Sequence, residues 1–301
     1  MTRRDCYLCE SRLNSILWKK NNFNIVICNN CGFIYVNRVP SRSYLNNFYR
    51  NFDYHDIKKA EIVIRRDAQR SLQKIDQFVT KPVKLLDVGC GRGFFLDEAR
   101  KRGWEVSGID YSNRVINYAT NFLKLIAQRA NIFTFKSKQK FDVVTLNQVI
   151  EHVSNPNKLI KQCYRLLKST GIIYIATPNI SSISAKIAKE NFDYIIPPEH
   201  LGFFNNKTLS LVLIQNGFRV LYCGTWGYRQ DVAGIIKKLF KKNKKTLISL
   251  KVKNQHERVN QIPIFLWIKY FLFDFFLCGV LYRILSFDHW GTNIEIIGIK
   301  I

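Results

Sequence analysis

The sequence predicts an α/β fold, a mostly parallel sheet with helices on both faces, and three observations carry that expectation. Short apolar runs alternate with amphipathic stretches from Val83 to Gly224, the rhythm of successive βαβ units. A glycine-rich turn, Gly89-Cys90-Gly91-Arg92-Gly93, stands where the first run hands over to a helix. An aspartate, Asp110, closes the second run.

Taken in order, residues 1–40 carry four cysteines beside two strand-like runs, Ile25-Val26-Ile27 and Phe33-Ile34-Tyr35-Val36, and form a small module. Residues 41–82 are expected to be a connection: a loop over 41–56, in which Tyr49 and Tyr54 are candidate lid residues, then a helix. Apolar positions 57, 60, 64, 68, 72, 75 and 79 recur every three or four residues, and Thr80-Lys81-Pro82 stops the pattern. The main domain covers 83–228 and 292–301. Its expected strands are Val83–Val88, Glu105–Asp110, Ile132–Phe135, Phe141–Leu146, Gly171–Ala176, Arg219–Gly224 and Asn293–Ile301. Its expected helices are Phe94–Arg102, Asn113–Ala127, Asn157–Leu167 and Asn206–Asn216. Residues 229–291 are a helical insertion before the last strand.

The glycine turn reads G-x-G-x-G. It lacks the spacing of the dinucleotide fingerprint and the lysine of a P-loop. Glycines let the backbone bend sharply and approach a ligand closely. Asp110, seventeen residues after Gly93, stands where a carboxylate accepts both hydroxyls of a ribose. Turn and acid together indicate a nucleoside cofactor; the bland alternative is a tight turn with a surface aspartate.

Leu85–Gly93 with Asp110 resembles the S-adenosylmethionine site of class I methyltransferases. Phe141–Leu146, Val149-Ile150-Glu151-His152-Val153 and Asn155-Pro156 resemble the next motif of the subgroup that includes the ubiquinone-biosynthesis O-methyltransferases. Leu166–Gly171 with Thr177-Pro178-Asn179 is similar to that subgroup's fifth-strand region. The resemblance spans 83–228 and 293–301 and implies a Rossmann-like class I methyltransferase sheet. It further implies that the loop after Asp87, with Gly89, Gly91 and Gly93, cradles the methionine end of the cofactor. Asp110 would bind the ribose, and Gln148 would line the methionine side. The acid that usually ends the third strand has no counterpart in Asn131–Phe135.

Cys6-x2-Cys9 and Cys28-x2-Cys31, with eighteen residues between the pairs, have the spacing of a tetrahedral thiolate cage for zinc. Four protein ligands leave no open position, so the ion is expected to be structural; a redox pair or an iron–sulfur site is the alternative. Cys90, Cys163, Cys223 and Cys278 fall on core positions and are expected to pack there. A zinc knuckle joined to this domain resembles sugar C-methyltransferases of deoxysugar biosynthesis and, less closely, ribosomal RNA guanine methyltransferases.

Methyl transfer to a hydroxyl or carbon acid requires removal of a proton, a task suited to histidine near neutral pH. Of the 5 histidines, His200 in Pro197-Pro198-Glu199-His200-Leu201 follows the fifth strand, at the ligand-binding edge of such a sheet. The sugar-enzyme resemblance implies His200 as base and Glu199 as its orienter or as a ligand for a substrate hydroxyl. A loop-packing histidine is the alternative. His152 is a further candidate, facing the acceptor or bracing the loop. Asn147-Gln148-Val149-Ile150 stands where the Asn-Pro-Pro-Tyr of nucleic-acid amine methyltransferases belongs, which argues against that class.

Lys+Arg 47 against Asp+Glu 22 gives +25. That balance favours anionic partners: nucleic acid, phosphorylated small molecules or an anionic membrane surface; lysine-rich compositional drift is the alternative. The sugar-methyltransferase resemblance together with this charge implies a small anionic or sugar-containing acceptor, phosphorylated or nucleotide-linked. Six lysines between Lys237 and Lys245 precede the apolar Ile262–Phe287, which Lys269, Asp274 and Arg283 interrupt. A peripheral membrane segment and a cap over the acceptor pocket fit better than a membrane span. Met1–Glu10 lacks an apolar core, so the expected location is cytoplasmic. RNA methylation and a non-catalytic cofactor-binding scaffold stand as the rival functions.

Overall fold

A computed structural model describes residues 2–3, 5–41, 43, 57–227 and 290–301. Tyr49, Tyr54, most of the expected 41–56 loop and nearly all of the 229–291 insertion lie outside the described residues.

The N-terminal strands are β1 (Thr2–Arg3), β2 (Asn14–Lys20), β3 (Phe23–Cys28), β4 (Ile34–Val36) and β5 (Arg38–Val39). The edge strand β2 was not foreseen, because its large apolar residues Ile16 and Leu17 face solvent and break the alternation. Asn21 and Asn22 take φ of 50° and 63°, the conformation of a two-residue hairpin turn that asparagine tolerates.

Helix α1 (Ile57–Ile75) follows, ending four residues before the apolar period does. Then come β6 (Lys84–Val88), α2 (Phe94–Lys101), β7 (Glu105–Asp110), α3 (Asn113–Asn121), β8 (Ala127–Arg129), β9 (Phe141–Asn147), α4 (Pro156–Leu166) and β10 (Leu167–Pro178). The chain continues through α5 (Ile183–Ala188), β11 (Gly202–Phe203), α6 (Asn206–Ile214), β12 (Phe218–Trp226) and β13 (Asn293–Lys300).

One expectation fails. The third strand of the main sheet is β8, not Ile132–Phe135, and α3 stops well short of Ala127. Lys124, at φ 53°, turns the chain out of the helix. Asn131 then closes a turn, its side chain accepting the amide of Phe133 at 3.0 Å and its carbonyl the amide of Phe135 at 2.9 Å.

The main sheet has seven strands in the order β12-β13-β10-β9-β6-β7-β8. From β10 to β8 neighbours are parallel, while β13 runs antiparallel to both β10 and β12. The order reverses beside β6, so the crevice of such a sheet opens over the carboxyl ends of β6 and β9. Helix α1 packs on this sheet: Ala68, Leu72 and Ile75 share a core with Val83, Leu85 and Tyr174, and Arg65 bridges Asp97 and Glu98 of α2 at 2.7 Å each. No helix among the described residues is long and apolar enough to cross a membrane.

Of the N-terminal strands, β1 pairs with β5, and β2, β3 and β4 form a second sheet, in the order β11-β4-β3-β2. Its edge strand β11 comes from the segment after β10, about 170 residues further along the chain. The cysteine module therefore shares one hydrophobic core with the main domain, Phe33 and Tyr35 lying with Phe204, Ile150 and Ile195.

Candidate functional site

The first half of the site is built over a short stretch of chain. Gly89 takes φ 76°, and a Cβ there would fall 2.5 Å from Cγ2 of Val149. The glycine thus lets the β6 turn lie directly against the segment after β9. Gly91 takes φ 52°, and a Cβ there would meet nothing within 4 Å. Its left-handed backbone faces open space, as a surface that receives a ligand would. Gly93 begins α2 from a left-handed position, φ 84°.

Asp110 stands across from this loop. One carboxylate oxygen accepts the amide of Gly91 and the other that of Ser112, both at 2.9 Å, so the acid is fixed against the turn. Burial raises its pKa. Asp87 lies beneath, 2% exposed. It accepts from the Thr145 hydroxyl at 2.6 Å and more weakly from Asn147 Nδ2 at 3.4 Å, tying β6 to β9. Burial pushes its carboxyl up to about 7. Gln148 has φ 54°, and its amide reaches the Asn293 side chain at 3.4 Å, beside the same crevice. An open glycine turn facing a fixed carboxylate suits the ribose and amino-acid ends of S-adenosylmethionine. Asn131, where an adenine-side acid was missing from the sequence, turns its side-chain oxygen to its own loop.

The second half draws on distant segments. His152 sits in a one-turn 3₁₀ helix, Ile150–His152, after β9, and His200 precedes β11. Their rings meet edge to face at 4.7 Å between centroids. His152 Nδ1 donates to the Glu199 carbonyl at 3.0 Å, and His200 Nδ1 to the Tyr194 carbonyl at 2.7 Å. Such contacts set the tautomer, leaving Nε2 of His200 with the lone pair. Burial, and for His200 the neighbouring ring as well, holds the pKa of His152 at about 4 and that of His200 at about 3. Both are neutral imidazoles at pH 7. The sequence reading had Glu199 as the orienter of His200. In the structure the Tyr194 carbonyl fixes the His200 ring, and the Glu199 main chain fixes His152.

Glu151 was passed over. It is 1% exposed, accepts from the Thr177 hydroxyl at 2.9 Å through Oε2, and leaves Oε1 buried without a hydrogen-bond partner. Burial pushes its carboxyl up to about 8. Glu151, His152 and His200 each place one ligand atom within 4.8 Å of the others, so the three can hold a cation. The one signal in the sequence was the adjacency of Glu151 and His152.

The cysteine quartet converges. The sulfurs of Cys6, Cys9, Cys28 and Cys31 lie within 4.8 Å of one another, with Cys6–Cys31 and Cys9–Cys28 both at 3.5 Å. None is in a disulfide. A tetrahedron of thiolates around zinc, with Zn–S near 2.3 Å, spaces its sulfurs about 3.8 Å apart, and the donor set fits that ion. Cys90 and Cys163 are buried, and Cys223 is half-buried.

A family model described as a methyltransferase domain matches residues 61–222. A ubiquinone biosynthesis O-methyltransferase of Pelagibacter ubique is 37% identical over 121 residues, which cover 38% of this chain and 50% of that protein; the chain thus spans about half the length of the curated relatives it matches. Among solved structures, a SAM-dependent methyltransferase from Archaeoglobus fulgidus aligns with TM-score 0.52 at 20% identity, covering 78% of this chain and 94% of that one. A SAM-dependent, possible histamine N-methyltransferase from Thermotoga maritima aligns with TM-score 0.53 at 16% identity, covering 85% and 100%. With more than half of its residues under the family model and a sheet shared with these structures, the chain belongs to the methyltransferase-domain family and has the class I S-adenosylmethionine-dependent methyltransferase fold.

Proposed function

We propose that the protein transfers a methyl group from S-adenosylmethionine to a small polar acceptor, a sugar or a nucleotide- or lipid-linked glycan intermediate. The observation that carries the reading is the meeting of two halves. An open glycine turn facing a fixed Asp110 lies in contact, through Gly89 and Val149, with a segment that leads into two buried neutral histidines. When bound, S-adenosylmethionine supplies an electrophilic methyl group on a sulfonium. Gly89, Gly91, Gly93, Asp110 and Gln148 would hold it, and Asp87 braces the strands beneath. His200 takes the acceptor proton at Nε2, because its Nδ1–H is committed to the Tyr194 carbonyl. His152 keeps that ring in place from its edge, and the half-buried Glu199 carboxylate offers a hydroxyl-binding group beside it. Cys6, Cys9, Cys28 and Cys31 would hold one structural Zn²⁺, closed to substrate.

The polar acceptor is supported by the strongly basic chain and by the zinc-knuckle resemblance to sugar methyltransferases. The related O-methyltransferases support an oxygen as the acceptor atom. Incubating the purified protein with labelled cofactor and separate RNA, lipid and nucleotide-sugar fractions tests this reading. Label in the nucleotide-sugar or lipid-linked glycan fraction is expected, and label in RNA alone contradicts it. The insertion supports contact with an anionic membrane, as its six lysines would predict. Equal flotation on anionic liposomes after changing all six to Gln would remove that contact.

A second reading is favoured by the partnerless Oε1 of Glu151. Here Glu151, His152 and His200 bind a divalent cation that anchors the acceptor hydroxyl. Mn²⁺ titration of the zinc-loaded protein, monitored by electron paramagnetic resonance, is expected to show one further site that His200→Gln abolishes.

A further inference from the structure

The cysteine module and the histidine pair are joined through the backbone of Leu201. The carbonyl of Leu201 accepts the amide of Val36 in β4 at 2.9 Å, and the amide of Leu201 donates to the carbonyl of Glu151 at 2.7 Å. The carbonyl of that residue therefore belongs to the cysteine sheet and its amide to the turn bearing Glu151 and His152. Beyond it, Gly202 and Phe203 pair with Tyr35 and Ile34 as the edge strand of the same sheet.

Further contacts run along the same segment. Lys20 Nζ donates to the Glu190 carbonyl at 2.9 Å, and Asn21 Nδ2 to the Pro197 carbonyl at 3.3 Å. The fully buried Phe33 lies against Phe204 with ring centroids 4.9 Å apart. Cys28 is one bond from this arrangement, since its amide donates to the Phe33 carbonyl at 2.8 Å. The cofactor turn makes none of these contacts, being braced by β7 and β9 instead.

We propose that the metal-loaded cysteine module is the template for the acceptor side of the active site: β4 holds the 197–204 segment, and with it His200, so that metal occupancy governs the acceptor site while the cofactor site stands on its own. The inference rests on the reading of Cys6, Cys9, Cys28 and Cys31 as a zinc site. Cys28 ends β3 and Cys31 stands three residues before β4, so a thiolate cage around a metal fixes the turn that sets β4, and binding of the ion contributes folding free energy to that turn. Removing the ion would free it. The segment paired with β4 would then lose its partner strand. Val36 and Phe33 are positioning residues, acting on His200 through Leu201 and Phe204.

The test uses the full chain, as purified and after reductive chelation, with three readouts: metal per chain, heat of binding of S-adenosylhomocysteine, and hydrogen exchange by segment. One zinc per chain is expected before chelation. After its removal, exchange of amides in 199–204 should accelerate at least about a hundredfold, consistent with losing more than ~2.7 kcal/mol of local protection, while 85–93 and 105–112 stay protected and the product's affinity changes less than about twofold. Val36→Pro, which deletes one amide donor and keeps all four cysteines, should reproduce the exchange effect with zinc retained. Unchanged protection of 199–204 in the metal-free protein overturns the inference, as does loss of product binding in step with the metal. Absence of metal from the purified protein overturns the zinc reading and this inference together, and leaves the cofactor assignment standing on its own calorimetry.

Discussion

The two halves of the site are built on different scales. The proposed cofactor side comes mostly from about 25 consecutive residues, Asp87 to Ser112, in which the Asp110 bonds close within one βαβ unit and the Asp87 side chain reaches out, to Thr145 and Asn147 of β9. The proposed acceptor side needs Asn21 to Val36, Glu151 and His152, Thr177 and Tyr194 to Phe204, brought together by a sheet whose strands lie about 170 residues apart in the chain. Local geometry carries the general part of the chemistry, cofactor capture. Under the proposed function, long-range assembly carries the specific part, acceptor choice.

The largest expected effect breaks the acceptor side alone. His200→Gln should lower turnover at least about a hundredfold, the usual contribution of a positioned general base, with product affinity unchanged by calorimetry. A near-normal rate would remove His200 from proton transfer. Gly89→Ala reaches both sides, because the new Cβ would fall 2.5 Å from Val149. It should destabilise the fold by about 1–3 kcal/mol through overpacking, read as a fall in Tm, and slow turnover by shifting the turn that bears His152.

Gly91→Ala confines the damage to the cofactor side. The added methyl meets no protein atom within 4 Å, so its cost is the left-handed backbone, about 1 kcal/mol, plus any clash with the ligand. The expected readout is product affinity weakened about tenfold with little change in Tm. Equal loss in Gly89→Ala and Gly91→Ala would mean that the turn responds to strain and not to ligand space.

The smallest effect lies in pH. Asp87 has its carboxyl pushed up to about 7 by burial, from 3.8 in the unfolded chain. Between those values the native state binds more protons than the unfolded state, so this group's stabilisation is complete below pH 3.8 and is lost as pH rises through 7. Asp87→Asn should therefore flatten that part of the stability profile measured by urea unfolding. An unaltered slope would show that Thr145 and Asn147 already hold the ionised form.

The difference in scale also explains what could be read from the residues. The strand–turn–helix at Leu85–Lys101 and the acid at Asp110 were legible because backbone bending and ribose recognition leave marks at fixed spacing. The cysteine quartet was legible for the same reason. The third strand was misplaced because Lys124 takes a left-handed turn that a lysine does not advertise, and because Asn131 closes its loop by a side-chain contact. Glu151 was missed since a buried carboxyl has the same letter as a surface one. Its depth depends on Thr177 and Leu201, 26 and 50 residues away. Nothing in Gly202-Phe203 announces a strand partner near residue 35.

The most direct measurement is isothermal calorimetry of S-adenosylhomocysteine on the intact protein and on Asp110→Ala. One site per chain is expected in the first, and in the second an affinity lower by about tenfold to a hundredfold, the cost of losing charge-assisted hydrogen bonds, with the protein still folded but its Tm lowered, because the amides of Gly91 and Ser112 lose their acceptor. No heat from the folded wild type, or equal binding by Asp110→Ala, would contradict it.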